Sequence, residues 1–426
     1  MSSKNPRYRW LVVAIFFFFM LLHQTDKLLI GPLKSQISET FHLTNTQFGV
    51  VITGALIVGT ILYPIWGYLY DRYARARLIA LASFIWGATT WFGAIAPTYP
   101  LFVAARASTG IDDSSYPGLF TLIADYFGPN LRGKVYGILQ LTQPLGYLIG
   151  MVMALMLAPS LGWRNVFYIT GALGIVLAIL IYFGVKEIPR GQAEPEFENV
   201  SDVPQFHFSL AEAKEIFRKK TMWFVFLQGF AGQFPWNVIT YFFFDYLEKE
   251  RGYDPNSILF TMGPVILILA SGYFIGGALG DMFFKRTNKG RIIVSSVGVI
   301  FGALFLYLAM TTSLESRTQF FVLMCISAVF MPLSSANVIA TVYDVTVPEI
   351  RSTAQAVEYF IENTGAAFAP LLAGIIADAL NLKLAIMVIC ISAWVLCFIF
   401  YLGAIFTIDH DAHILRTQMG ERAKAM

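Results

Sequence analysis

Twelve long, mainly apolar runs separated by short breaks constrain this chain more than any other feature in it. They lie roughly at 10–32, 46–70, 78–96, 100–127, 134–158 and 163–185, then at 221–246, 257–284, 292–311, 318–342, 352–377 and 384–406. Runs of that length match the ~20 residues a helix needs to cross the hydrocarbon core of a bilayer. Backbone polar groups have no water to bond there, so each run must satisfy its own as a helix. Composition agrees: 57% of the 426 residues are hydrophobic and 13% charged, where a soluble domain carries about 25% charged residues. In water such a surface would aggregate, so most of it must face lipid. The expected fold is an all-α polytopic membrane protein with twelve transmembrane helices in two pseudo-symmetric six-helix bundles.

The division into halves follows from the one long polar stretch, which separates residues 1–185 from 221–406. That stretch, 186–220, holds Glu194, Glu196, Glu198 and Asp202 before Arg218-Lys219-Lys220, and reads as a cytoplasmic linker; 407–426 reads as a cytoplasmic tail. Placing the N-terminus inside puts 22 Lys and Arg on inner segments and 6 on outer loops, among them Lys34, Arg164, Lys249 and Arg251. Both termini are therefore expected in the cytoplasm of a cell inner or plasma membrane protein. Lys4, Arg7 and Arg9 before the first run imitate a secretory signal, but no small-residue cleavage site follows, so a retained first helix is expected. A net charge of +3 is too small to suggest a nucleic-acid partner. Cys325, Cys390 and Cys397 all sit in apolar runs, which excludes a disulfide framework and a cysteine-rich metal site.

The halves repeat. Asp125, Pro129 and Arg132 recur as Asp344, Pro348 and Arg351, each 219 residues on, and the same shift carries Gln143 to Glu362 and Gly146 to Gly365. Gly67 and Asp71 recur as Gly277 and Asp281 at a shift of 210. Six spans, a linker and six more imply parallel repeats related by an axis along the membrane normal, the arrangement of transporters that expose one site to each side in turn.

Charged residues inside spans are costly in lipid and mark substrate or ion paths. Span four contains Arg106-x3-Gly110-x-Asp112-Asp113-x2-Tyr116-Pro117. On an unbroken helix Arg106, Gly110, Asp113 and Pro117 share a face; the plainer alternative is an Arg106–Asp113 pair that only braces the bundle. Span one carries His23, Asp26 and Lys27. Asp26 is a candidate proton carrier, either because desolvation favours its protonated form or because Lys27 or Arg106 holds it ionised; alternatively the span ends early and both residues face headgroups. For His23 the expectation is a packed side chain bonded to a neighbouring helix. In span eleven Glu362 is a candidate for a second protonation site or for binding a cationic group, while Glu358 is expected to pair with basic residues at the inner mouth. Gln228, Gln233, Trp236, Asn237 and Tyr241 of span seven can line a cavity, though Trp and Tyr also anchor helix ends at the interface.

Between spans two and three stands Gly67-x3-Asp71-Arg72-x2-Arg75-x-Arg77, echoed by Gly277-x3-Asp281 with Lys285, Arg286 and Arg291 but no Arg directly after Asp281. Gly would admit a close helix neighbour, Asp would cap or pair with Arg, and the basic cluster marks the cytoplasmic side. This loop resembles the signature of the major facilitator superfamily. Asp26-Lys27 in the first span with Arg106-x3-Gly110-x2-Asp113 in the fourth resembles the anion:cation symporter branch, with Lys27 where that branch has Arg, Asp113 for Glu and Ser114 for Ala. Arg132-Gly133, Gly162-Trp163-Arg164 and the stretch around Gly365, Pro370 and Gly374 are similar too. Ser115-Tyr116 matches the Spinster branch, which resembles lysolipid transporters.

The resemblance implies a major facilitator fold and assigns roles by position. Asp26 and Asp113 would carry protons, and the place of Glu362 in span eleven adds the candidate second protonation site. Lys27, Arg106, Tyr116, Gln143, Asn237, Tyr241 and Glu362 would meet substrate, and Gly67, Asp71, Arg72, Arg75, Arg132, Gly277, Asp281 and Arg351 would gate. Lys lacks the planar fork with which Arg grips a carboxylate, so Lys27 is not an equivalent donor. No phosphate-cradling loop, zinc pair or nucleophile elbow occurs, so neither an enzyme nor a cofactor is expected. The expected function is proton-coupled secondary transport of a small organic anion by a monomer, with Na+ as the alternative ion. The alternatives are a lysolipid or other amphiphile as cargo, and a non-transporting membrane sensor.

Overall fold

Helices account for nearly all of the described residues in a computed structural model, which describes residues 6–113, 115–127, 129–189, 214, 216–346 and 351–425, apart from some side chains inside those helices. No strand occurs among the described residues. The chain divides into two compact units, Met1–Phe206 and His207–Met426. The first contains α1 (Pro6–Leu29), α2 (Lys34–Phe41), α3 (Asn45–Arg72), α4 (Arg75–Ile95), α5 (Tyr99–Ser108), α6 (Gly110–Asp113), α7 (Tyr116–Tyr126), α8 (Pro129–Gln140), α9 (Thr142–Val152), α10 (Ala158–Leu161) and α11 (Trp163–Gly184). The second contains α12 (Lys220–Lys249), α13 (Pro255–Phe284), α14 (Gly290–Thr311), α15 (Arg317–Phe330), α16 (Ser335–Val345), α17 (Arg351–Ala379) and α18 (Leu382–Ala425). The linker expected at 186–220 falls largely outside the described residues.

Among the described residues ten helical stretches are long and apolar enough to cross a membrane. The two expected spans missing from that set are the fourth and the seventh, for different reasons. The seventh, α12, is an unbroken helix of 30 residues whose apolar character is diluted by Gln228, Gln233 and Asn237. The fourth is broken into α5, α6 and α7. Pro117 explains the second break: it has no N–H to offer the Asp113 carbonyl, and its ring crowds that carbonyl. The chain tightens instead, with Ser115 N donating to Asp112 O at 2.9 Å. The Ile111 carbonyl, which an unbroken helix would have given to Ser115, accepts the Trp66 indole N–H at 2.5 Å. The expected single helical face through Arg106, Gly110, Asp113 and Pro117 therefore does not form.

Glycine sets the helix contacts where backbones touch. A Cβ at Gly146 would lie 3.0 Å from Leu21 O, and one at Gly365 would lie 2.2 Å from Phe230 O. The two repeat-related glycines thus seat α9 on α1 and α17 on α12. Outward, Phe183, Phe260 and Phe406 are each more than 70% exposed, a cost in water and a gain in lipid. The expected tail at 407–426 is not a separate segment, because α18 runs on without a break to Ala425. Two basic residues assigned to outer loops are buried: Lys34, whose ammonium donates to Asn45 Oδ1 at 2.7 Å, and Arg251, whose guanidinium stacks 4.0 Å above the Phe320 ring.

Candidate functional site

The break in span four turns two consecutive carboxylates toward α1. Asp112 Oδ2 lies 2.6 Å from His23 Nε2, and Asp113 reaches both His23 Nε2 at 3.5 Å and the Lys27 ammonium at 3.1 Å. The other ring nitrogen, His23 Nδ1, lies 2.5 Å from the Tyr116 hydroxyl, which also accepts the Gln24 amide at 3.2 Å. His23 and Asp112 are each 2% exposed, whereas the Lys27 side chain keeps 28% of its surface. Trp86 and Phe19 pack on the imidazole. His23 is indeed bonded to neighbouring helices, but to a carboxylate and a phenol rather than to inert partners. Asp112 was legible as one of two adjacent acids within a span, yet sequence reasoning passed over it for Asp113. The ligand atoms of His23, Asp112 and Asp113 approach within 4.8 Å of one another. Lys27 supplies the positive charge there, so nothing marks the cluster as a metal centre.

Asp26 and Arg106 depart from expectation. Asp26 is buried, not headgroup-facing, and accepts hydrogen bonds from Thr170 Oγ1 at 2.5 Å and Thr90 Oγ1 at 3.0 Å. Its described partners are these hydroxyls rather than Lys27 or Arg106. The alternative reading, an Arg106–Asp113 brace, is not among the described ion pairs. Arg106 is buried at 5% exposure, its guanidinium 5.5 Å from the Phe167 ring centre, and its Nη1 has no hydrogen-bond partner among the described residues. Gln143 is half-buried.

In the second unit the candidate site residues are acids and amides, while the buried Arg251 lies just beyond the end of α12. Glu358 and Glu362 lie one turn apart on α17. Gln355 donates to Glu358 at 2.9 Å and Gln233 to Glu362 at 3.4 Å. Glu358 is 1% exposed and no basic residue joins it among the described contacts, contrary to the expected pairing at the inner mouth. Asn237 is buried with its amide given to Gln233 O of its own helix at 3.0 Å, and Tyr241 is buried on α12. Gln228 accepts the Tyr401 hydroxyl at 2.6 Å.

At the loop ends each unit builds an arginine clamp. Arg75 is buried and donates to Asp125 at 2.5 Å, to Glu187 at 2.9 Å and to Ile188 O at 3.1 Å, while Glu187 also accepts Ala76 N at the start of α4. Arg291 donates to Asp344 at 2.5 Å and to Asp281 at 2.8 Å. An Arg directly after Asp281 is thus replaced by one ten residues on. Gly67 does not serve close packing: a Cβ there would meet nothing within 4 Å, and one at Gly277 only Ala336 Cβ at 3.6 Å. The tight contacts are at Gly118, where the Tyr70 ring would be overrun, and at Gly280, against the Asn337 amide. Applying the shifts of 219 and 210 makes Gly118 the counterpart of Asn337 and Tyr70 that of Gly280. The contact is kept while large and small sides are exchanged. Arg72 is exposed with its guanidinium 4.9 Å from the Tyr68 ring centre. The side chains of Asp71, Arg132 and Arg351 lie outside the described residues.

A bilayer-spanning chain of two helical units with matching clamps, matching glycine contacts and ionisable groups buried in each has the make-up of a multi-pass membrane transporter. The chain belongs to the major facilitator superfamily, whose model matches residues 15–316 and 269–417. It is similar to a protein spinster homolog 1 of Xenopus tropicalis, 25% identical over 401 residues that cover 89% of this chain and 75% of the relative. It is similar as well to a probable sulfoacetate transporter of Cupriavidus necator, 24% identical over 78% of this chain and 79% of the relative. In fold it resembles a bacterial homolog of the human lysosomal transporter Spinster, with a TM-score of 0.81 at 20% identity over 96% of this chain and 99% of that one. A D-xylose-proton symporter gives a TM-score of 0.72 at 17% identity over 92% of this chain and 97% of that one. At such identities the structures speak for the fold alone.

Proposed function

We propose that the chain is a proton-coupled secondary transporter that moves a small organic anion, such as a sugar acid or carboxylate, by alternating access. The observation that carries this reading is Arg106: a guanidinium buried in a membrane-spanning unit, with an Nη1 that no described group satisfies. A buried donor left unmatched costs about 1–3 kcal/mol, more when charged, and an anionic oxygen removes that cost. Lys27, partly exposed and held by Asp113, is the second cation. Tyr116, Gln143, Asn237, Tyr241 and Glu362 complete the proposed substrate contacts. Asp26, Asp113 and Glu362 take part in proton coupling, and the clamps centred on Arg75 and Arg291 hold the gates with Asp71, Arg72, Arg132, Asp281 and Arg351. We place both termini in the cytoplasm, assign residues 1–185 and 221–406 to the two bundles, and take the protein to work as a monomer in a plasma or inner membrane.

The test is thermal unfolding of purified protein with sulfoacetate, gluconate or lysophosphatidylcholine at about pH 6 and about pH 8. An anion present at roughly a hundredfold its Kd stabilises the folded state by about 2.7 kcal/mol. The proposal expects that gain for an acid, larger at the lower pH and lost in Arg106→Ala. Stabilisation by lysophosphatidylcholine alone would favour the second reading, an amphiphile carrier, which the likeness to spinster proteins over 89% of this chain supports.

A further inference from the structure

We propose that His23, held between Asp112 and Tyr116, is the binding site of the coupling proton and that its protonation releases Lys27 for the anion. The inference rests on the proton-coupled reading above and deepens it.

The geometry serves two protonation states without moving a heavy atom. In the neutral ring, Nε2–H donates to Asp112 Oδ2 across 2.6 Å and Nδ1 accepts the Tyr116 hydroxyl proton across 2.5 Å. In the imidazolium both nitrogens donate, to Asp112 and to the Tyr116 oxygen, because a phenol can accept as readily as donate. Only the hydroxyl hydrogen has to turn. A side chain that merely bracing required would need one of these states; a partner that switches role is what a reversible proton site needs. Gln24, donating to the same hydroxyl from 3.2 Å, fixes the oxygen in place in both.

Charge follows the proton. Asp112, Asp113 and Lys27 together leave the cluster one negative charge in excess while His23 is neutral, and none once it is imidazolium. Asp113 stands between the two cations, 3.5 Å from His23 Nε2 and 3.1 Å from the Lys27 ammonium. A proton on His23 therefore draws on the carboxylate that restrains Lys27, and anion and proton each make the other's binding more favourable, as symport requires.

No other described charge competes for the imidazole. On α1 itself Asp26 is engaged by Thr90 and Thr170. From α4 the ring meets Trp86, and α9 carries Tyr147 but no charged residue. Arg164, the one charge on α11, donates to Ala96 O. The side chains of Arg132 and Lys134 on α8 lie outside the described residues.

The experiment has two arms, each on full-length protein in lipid nanodiscs with His23→Gln, Asp112→Asn and Tyr116→Phe beside the parent. In the first, infrared difference spectra are taken between about pH 8 and about pH 5 with ring-labelled histidine, a readout that needs no substrate. The parent should show an imidazole-to-imidazolium band pair that His23→Gln loses and Tyr116→Phe shifts. Identical spectra for the parent and His23→Gln would overturn the proposal. In the second, sulfoacetate is added in weakly buffered solution with a pH-indicating dye. The parent should take up about one proton per anion bound and His23→Gln close to none. Proton uptake by His23→Gln equal to the parent's would also overturn it. If sulfoacetate fails to bind even the parent, the anion reading suffers and the infrared arm still decides the proton site.

Discussion

The two units share a skeleton and differ in what they bury. Gly146 and Gly365 each press a helix onto the first helix of its own unit, Arg75 and Arg291 each clamp an aspartate at the end of a span, and Tyr70–Gly118 is answered by Gly280–Asn337. Inside that common frame the first unit gathers charges of both signs around His23, Asp112, Asp113, Lys27 and Arg106, whereas the second sets two glutamates among amides, its buried Arg251 stacking on Phe320 rather than joining them. Backbone contacts tolerate little change because they are dense and short-ranged. Buried charge is expensive in lipid and persists where it has a use. The shared part is thus the scaffold of movement, and the unshared part is the chemistry.

The sharpest way to break this comparison is to attack the shared part. Gly365→Ala should be nearly unable to fold, since its Cβ would sit 2.2 Å from a backbone carbonyl that cannot swing away, and Gly146→Ala should be destabilised by at least about 1–3 kcal/mol. Gly67→Ala, at the motif glycine with nothing within 4 Å, should be neutral or gain about 0.5–1 kcal/mol from helix propensity. Thiol-reactive dye unfolding reads all three, because Cys390 and Cys397 are buried and become reactive only on opening. Comparable losses at Gly67 and Gly365 would undo the claim that the frame rests on backbone approach.

Next in size are the clamps. Arg75→Ala strands Asp125 and Glu187 and should cost about 3–5 kcal/mol, as broken buried pairs do. Arg291→Ala should cost less, because its partner Asp281 is well exposed and half the clamp is already wet. The smallest expected effect on stability is Glu362→Gln, which is nearly isosteric and keeps a carbonyl oxygen to accept from Gln233. Its effect should be on transport: pH dependence should change far less than in Asp113→Asn if coupling resides in the first unit, and as much if the glutamate pair carries the proton.

Much of this was legible beforehand, and the limits have physical causes. The repeat shifts found Gly146 with Gly365 and Asp125 with Asp344, because a duplicated scaffold keeps its contact residues in register. The fourth span was misread because an ideal 3.6-residue period was carried through Pro117, where the helix stops at Asp113 and restarts at Tyr116. Gly67 was credited with a contact made by its neighbours, since a motif marks which residues recur and not which atoms meet. Lys34 and Arg251 stood outside every expected site because a loop position in sequence gives no sign of burial in the folded unit.

If an anion and a proton converge on the first unit's buried cations and carboxylates, the decisive experiment is uptake of labelled sulfoacetate into proteoliposomes under an inward proton gradient, with the parent beside Arg106→Ala and Asp113→Asn. The parent should accumulate the anion, Arg106→Ala should not, and Asp113→Asn should exchange it without pH drive. Undiminished, pH-driven accumulation in both variants would rule the convergence out.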